Sequence, residues 1–288
     1  MRLLIALCFV WCGLAPVLAQ ETQPEIRLIV RSDDIGFCHT ANQACIEVFT
    51  KGIGQSVEIM APTPWFPEAV KLLKAHPGYD VGIHLVLTSE WENLRWRPLT
   101  PAPSVVDADG YFPQFVWENR NLPHSDYLRK HQLNLAEVEA ELRAQIELVK
   151  KHLPQASHLS AHMGCNRASP EIKALVDRLA AEYQLPLEMP PNATPIKGFG
   201  GADKSPQQKE ADLLKILAEL PAGTHYLIEH PGHNEGDMLG VGHVGYERVA
   251  FDRDGVTKAF TSPAVRKLIE KRGIKLISIK QAFTNPKP

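Results

Sequence analysis

The sequence predicts an α/β fold: a distorted parallel (βα) barrel, TIM-like, with long loops at the C-terminal face. Short β-rich runs alternate with longer helical patterns from Arg27 onward, and repeated strand–helix units imply a parallel sheet covered by helices. The number of such runs suits a closed or nearly closed barrel better than an open doubly wound sheet. No G-x-G-x-x-G follows the first strand, which removes the usual dinucleotide turn.

The elements follow in order. β-rich runs occupy 27–32, 56–60, 79–87, 157–161, 185–189, 224–229 and 274–279. Helical patterns fill 40–51, 66–75, 135–153, 170–183, 206–220 and 263–272. Thr40, Asn134 and Ser169, the last before Pro170, read as N-terminal caps. Two connections are long. Residues 88–134 are rich in aromatics, among them Trp91, Trp96, Tyr111 and Trp117, and residues 231–258 are rich in glycine. Loops of that length in a compact domain are usually lids or binding walls. No linker or repeat divides the rest, so residues 20–288 read as one domain.

Residues 1–19 read as a separate object. A basic Arg2, an apolar run and small residues ending at Ala19 have the layout of a secretory signal peptide, cleaved after Ala19. The apolar stretch is too short and broken to span a bilayer comfortably. The expected location is periplasmic or secreted, with no membrane span after cleavage. Cys8 and Cys12 leave with the signal, and Cys38, Cys45 and Cys165 read as free, buried thiols without metal-finger spacing.

The chain has 288 residues, a formal charge of −2 and 44% hydrophobic residues. That is ample for a buried core, and a balanced charge excludes a polybasic nucleic-acid binder. Chemistry gathers at the ends of predicted strands. Asp33-Asp34 follows the first strand, with a turn after Ser32 letting both carboxylates reach one pocket. His84 lies near the end of the third, His162 ends the 157–161 run and His230 ends the 224–229 run. In a parallel barrel these ends meet on one face. One carboxylate and two imidazoles make a three-ligand metal centre that leaves room for water and substrate. A second aspartate can take a proton from attacking water, and His230 can give one to a leaving amine. The spacing supports metal-dependent hydrolysis without naming the bond.

These residues resemble the YdjC-like family of carbohydrate deacetylases, which includes chitooligosaccharide deacetylase. The likeness begins at Leu28-Ile29-Val30-Arg31-Ser32-Asp33-Asp34-Ile35-Gly36. It continues through Asn42, Gly52-Ile53, Val81-Gly82-Ile83-His84-Leu85-Val86-Leu87-Thr88, residues 139–146, His158-Leu159-Ser160-Ala161-His162 and Glu229-His230-Pro231-Gly232. The resemblance implies a distorted (βα) barrel, Asp34, His84 and His162 as metal ligands, Asp33 as general base, and His230 as acid or leaving-group partner. It implies magnesium or zinc, and two imidazoles favour zinc or another transition metal. The chain departs from the family pattern Asp-Ser-His-x-His, reading Ser160-Ala161-His162-Met163-Gly164 instead. That substitution predicts a lost orienting partner for His162 and a changed grip on substrate.

The expected substrate is an N-acetylated sugar or oligosaccharide. Trp91 and Trp96 are candidate sugar platforms, and Arg167 a candidate for holding an acidic group. Glu229, His233 and His243 read as loop residues. Two other readings fit the same residues: a non-catalytic glycan-binding protein on the same barrel, and a metal hydrolase of another ester or amide bond. A homo-oligomer is compatible with all three.

Overall fold

The computed structural model describes residues 25–284 apart from 123 and 188; the segment read as a signal peptide lies outside them. A parallel sheet forms the centre. Its strands are β1 (Ile26–Ile35), β2 (Ser56–Ile59), β3 (Asp80–Leu85), β4 (His158–Ala161), β5 (Ala193–Pro195), β6 (Gly223–Glu229) and β7 (Lys275–Leu276). They run in the order β4-β3-β2-β1-β6-β5, with β7 also paired to β1. The sheet curls into a barrel that is open between β4 and β5. Leu187 touches the β4 edge in a single parallel bridge to Leu159. Among the described residues of the expected strand at 185–189, which leave out 188, that contact is the pairing shown, and the next is at β5.

The helices are α1 (His39–Lys51), α2 (Phe66–Ala75), α3 (Leu135–His152), α4 (Pro170–Tyr183), α5 (Pro206–Glu219), α6 (Val249–Thr261), α7 (Pro263–Arg272) and α8 (Ile279–Thr284). Asn134 accepts from Ala136 N, and Ser169 from Ile172 N, as expected of caps. Thr40 does not cap α1. Cys38 holds the cap position without a side-chain bond, and the Thr40 hydroxyl donates to Asp237 Oδ1 at 2.6 Å. The glycine-rich connection is not a plain loop, because its last third, from Val249 on, belongs to α6.

Alternation along the strands divides the side chains between two faces. Leu28 and Val30 point outward into an apolar cluster with Val48, Leu213, Val256 and Phe260. The inner side is polar. Arg31, Asp33, Glu58, His84, His158 and Ser160 are all buried and bond to one another across β1 to β4. Asp80 closes the lower end, accepting from Ser56 Oγ, Ser157 Oγ and Lys280 N at the start of α8. Cys38, Cys45 and Cys165 are free and buried. No helix among the described residues is long and apolar enough to cross a membrane.

Candidate metal centre and hydrolytic site

Both adjacent aspartates belong to β1, not to a turn after it. The register runs Arg31 to Ser56 and Ser32 to Val57, then slips so that Ile35 faces Ile59. One extra residue therefore sits on β1, a β-bulge, and Asp34 takes φ +69°. The bulge turns Asp33 and Asp34 into the same cavity, where a regular strand would send them to opposite faces.

Asp34, His84 and His162 form a buried cluster with one potential ligand atom from each lying within 4.8 Å of the others. His162 Nδ1 lies 3.2 Å and His84 Nε2 3.6 Å from Asp34 Oδ1. That oxygen is buried and accepts no well-directed hydrogen bond. A buried carboxylate lone pair left open between two imidazole nitrogens is what a cation would satisfy, so the residues fit a divalent metal. The donor set suits zinc or another transition ion better than magnesium.

The charges are arranged accordingly. Burial disfavours the imidazolium form of both histidines. At His162 the carboxylates of Glu90 and Asp34 outweigh it and push the pKa up to about 10; at His84 burial prevails and holds it down to about 4. Burial likewise works against a charged Asp34, yet the neighbouring His230, His162 and Arg253 hold its carboxyl well below the usual range. A proton on His162 thus answers the two carboxylates until a metal displaces it.

Around this cluster stand groups that could handle protons and substrate. Arg31 grips Asp33 in a two-pronged bond, Nε to Oδ1 and Nη2 to Oδ2, both at 2.7 Å. Its own charge is stabilised by Asp33 and Glu58 against the cost of burial. Arg253 donates to Asp34 Oδ2 at 3.1 Å. His230 Nε2 lies 3.7 Å from the same oxygen, with 40% of its side chain open. The cavity holds about 400 Å³ and is lined by Asp33, Asp34, His84, His162, His230, Glu90, Trp91, Met163, His243, Tyr246 and Arg253.

The two long connections build its wall. Trp91 stacks on His243 at 5.8 Å and lies 6.0 Å from Tyr246. Glu92 N donates to Gly242 O and Val244 N to Glu92 Oε1, tying one loop to the other. Of the three residues read as substrate contacts, only Trp91 lies on this cavity. Trp96 is buried behind it, its indole NH donating to Thr88 O and its ring 6.2 Å from His162. Arg167 borders a separate cavity of about 190 Å³ beside Arg31 and Tyr226. His243, read as a loop residue, instead lines the site.

Sequence reasoning missed Arg31, Glu58, Glu90, Tyr246 and Arg253. Arg31 and Glu58 carried a signal: a charge inside an apolar strand must find a partner. The loss of an aspartate at position 160 also acts differently than expected. Ser160 Oγ contacts His84 Nδ1 at 2.7 Å, while His162 Nε2 has its own carboxylate partner in Glu90 at 2.9 Å.

The curled parallel α/β sheet thus carries a buried Asp-His-His cluster that could hold a metal ion at an open cavity. The model of the YdjC-like protein family matches residues 27–271, and the chain belongs to that family. A carbohydrate deacetylase of Thermus thermophilus is 33% identical over 225 residues, covering 70% of this chain and 76% of the relative. A chitooligosaccharide deacetylase of Yersinia enterocolitica is 28% identical and covers 86% of this chain and 96% of its own. A crystal structure of an Enterococcus faecalis protein, to which cellobiose-phosphate cleavage is ascribed, superposes with a TM-score of 0.69 at 23% identity. It covers 89% of this chain and 98% of its own, a likeness of fold.

Proposed function

We propose that this protein is a metal-dependent carbohydrate deacetylase that removes the N-acetyl group from an N-acetylated sugar or oligosaccharide. The observation that carries the reading is the open lone pair of Asp34 between His84 and His162, beside Asp33 and His230 on one cavity. The named activities of the family relatives supply the substrate class.

Asp34, His84 and His162 would hold the cation, zinc or magnesium, with zinc favoured by the two imidazoles. When bound, the cation acts as a Lewis acid on the acetyl carbonyl and makes water a better nucleophile. Asp33 is the general base. Its carboxylate is fixed by Arg31, and a fixed orientation is what proton abstraction in an ordered site needs. His230, beside Asp34 Oδ2 and with 40% of its side chain open, gives a proton to the departing amine nitrogen. Tyr246, half-buried on the cavity, offers an aromatic face to the C–H faces of a sugar ring, while Trp91, 3% exposed and covered by His243 and Arg253, packs beside it.

The apolar N-terminal segment with small residues before Ala19 supports a periplasmic or secreted enzyme. Acetate release from matched N-acetylated and O-acetylated sugars tests the bond. Release from the N-acetylated set is the expected result. Cleavage confined to the O-acetylated set would replace the amidase reading with an esterase.

A further inference from the structure

We propose that two carboxylates outside the triad, Glu90 and Glu58, fix which nitrogen of each histidine faces the cation and thereby set the metal affinity of the site. The inference rests on the metal-binding reading given above and assigns residues to which that reading gives no role.

A neutral imidazole has one donor nitrogen and one acceptor, and a metal takes the acceptor. His162 Nε2 lies 2.9 Å from Glu90 Oε2. An ionised carboxylate only accepts, so Nε2 keeps its proton, and Nδ1, on the side of Asp34 Oδ1, is the nitrogen left to offer its lone pair to a cation. His84 uses the opposite nitrogen. Its Nδ1 meets Ser160 Oγ at 2.7 Å, and that hydroxyl donates its own hydrogen to Glu58 Oε2. The hydroxyl must therefore accept from His84 Nδ1, which leaves Nε2 as the lone pair facing Asp34. One carboxylate acts directly, the other through a serine, and each excludes the wrong tautomer.

The arrangement is held from behind. Glu58 is fully buried. His158 Nε2 lies 2.6 Å from its other oxygen, and Arg31 Nε lies 3.9 Å from the same oxygen. Gly82 leaves the space it needs, since a Cβ there would come within 2.2 Å of Glu58 Oε2. Glu90 is 5% exposed and sits at the start of the aromatic loop, so the loop that walls the cavity also orients one ligand.

Zinc titration of the purified chain against a chromophoric chelator tests the assignment, alongside cobalt absorption spectra and thermal midpoints of the metal-free proteins. Because Glu58 also neutralises buried Arg31 and His158, Ser160→Ala is the cleaner cut in that arm. Glu90→Leu and Ser160→Ala are each expected to lose about 10- to 100-fold in zinc affinity and to shift the cobalt bands. Glu90→Gln and Ser160→Thr, which keep an acceptor or a hydroxyl, recover most of the loss. If Glu90→Leu and Ser160→Ala bind zinc as tightly as the parent while Asp34→Asn does not, the positioning claim falls and the metal centre stands. If the parent itself takes up neither ion, both fall together.

Discussion

Asp33 and Asp34 are neighbours in sequence with different surroundings. Asp33 is clamped by Arg31 through both oxygens, whereas Asp34 keeps one oxygen open between two histidines. The first arrangement suits a group that moves a proton, the second a ligand. Asp33→Asn is expected to lower kcat by about 10²- to 10⁴-fold with metal content unchanged; full turnover in that variant would remove Asp33 as the base. Gly82 has a comparable importance without any side chain. A methyl there would lie 2.2 Å from Glu58 Oε2 and 2.4 Å from His158 Nε2, both buried and fixed. Gly82→Ala is expected to cost about 1–3 kcal/mol by overpacking, measured as a fall in the denaturation midpoint.

Among the elements, α2, α4 and α7 begin and end where apolar spacing and an N-terminal proline place them, and α4 and α7 also carry serine caps. The strands carrying the histidines were also legible, because β-rich runs end in residues with no reason to be apolar. What was not legible depended on contacts between strands. The bulge that turns Asp33 and Asp34 into one cavity is a slip in register against β2, invisible within the run 27–32. Helix α6 carries Gly255 and follows a glycine-rich stretch, so its pattern reads as loop, and Arg253 was lost with it. Glu90 lies in a connection with no periodicity, and only the fold brings it to His162.

Ser205 and Gln208 form a reciprocal capping box at the start of α5. Ser205→Ala is expected to lower stability by about 1 kcal/mol in chemical denaturation. In β2, burial would raise the Glu58 pKa, but His158 and Arg31 hold it down to about 2 from an ordinary 4.5. A depressed carboxylate pKa stabilises the fold above the unfolded value, and the gain is lost as pH falls through the folded one. Thermal midpoints of the metal-free chain should therefore drop between pH 4.5 and 2. Glu58→Gln should make that drop shallower, and an identical slope would show that Glu58 does not drive it.

Across the whole molecule, the sheet has two faces of opposite character. Its outer face packs on helices through apolar side chains, while its inner side carries a run of polar bonds from Asp80 at the base to His84, whose free nitrogen lies 3.6 Å from Asp34 at the cavity floor. Such a network is costly unless every member is partnered, and the open oxygen of Asp34 stands where a cation would complete it. The most direct test of that account is acetate release from an N-acetylated sugar by one preparation of the purified protein. It would be measured as isolated, after chelation, and after zinc or magnesium is restored, with bound metal counted at each stage. The account predicts about one metal per chain and release that disappears on chelation and returns with the metal. Undiminished release from metal-free protein would contradict it.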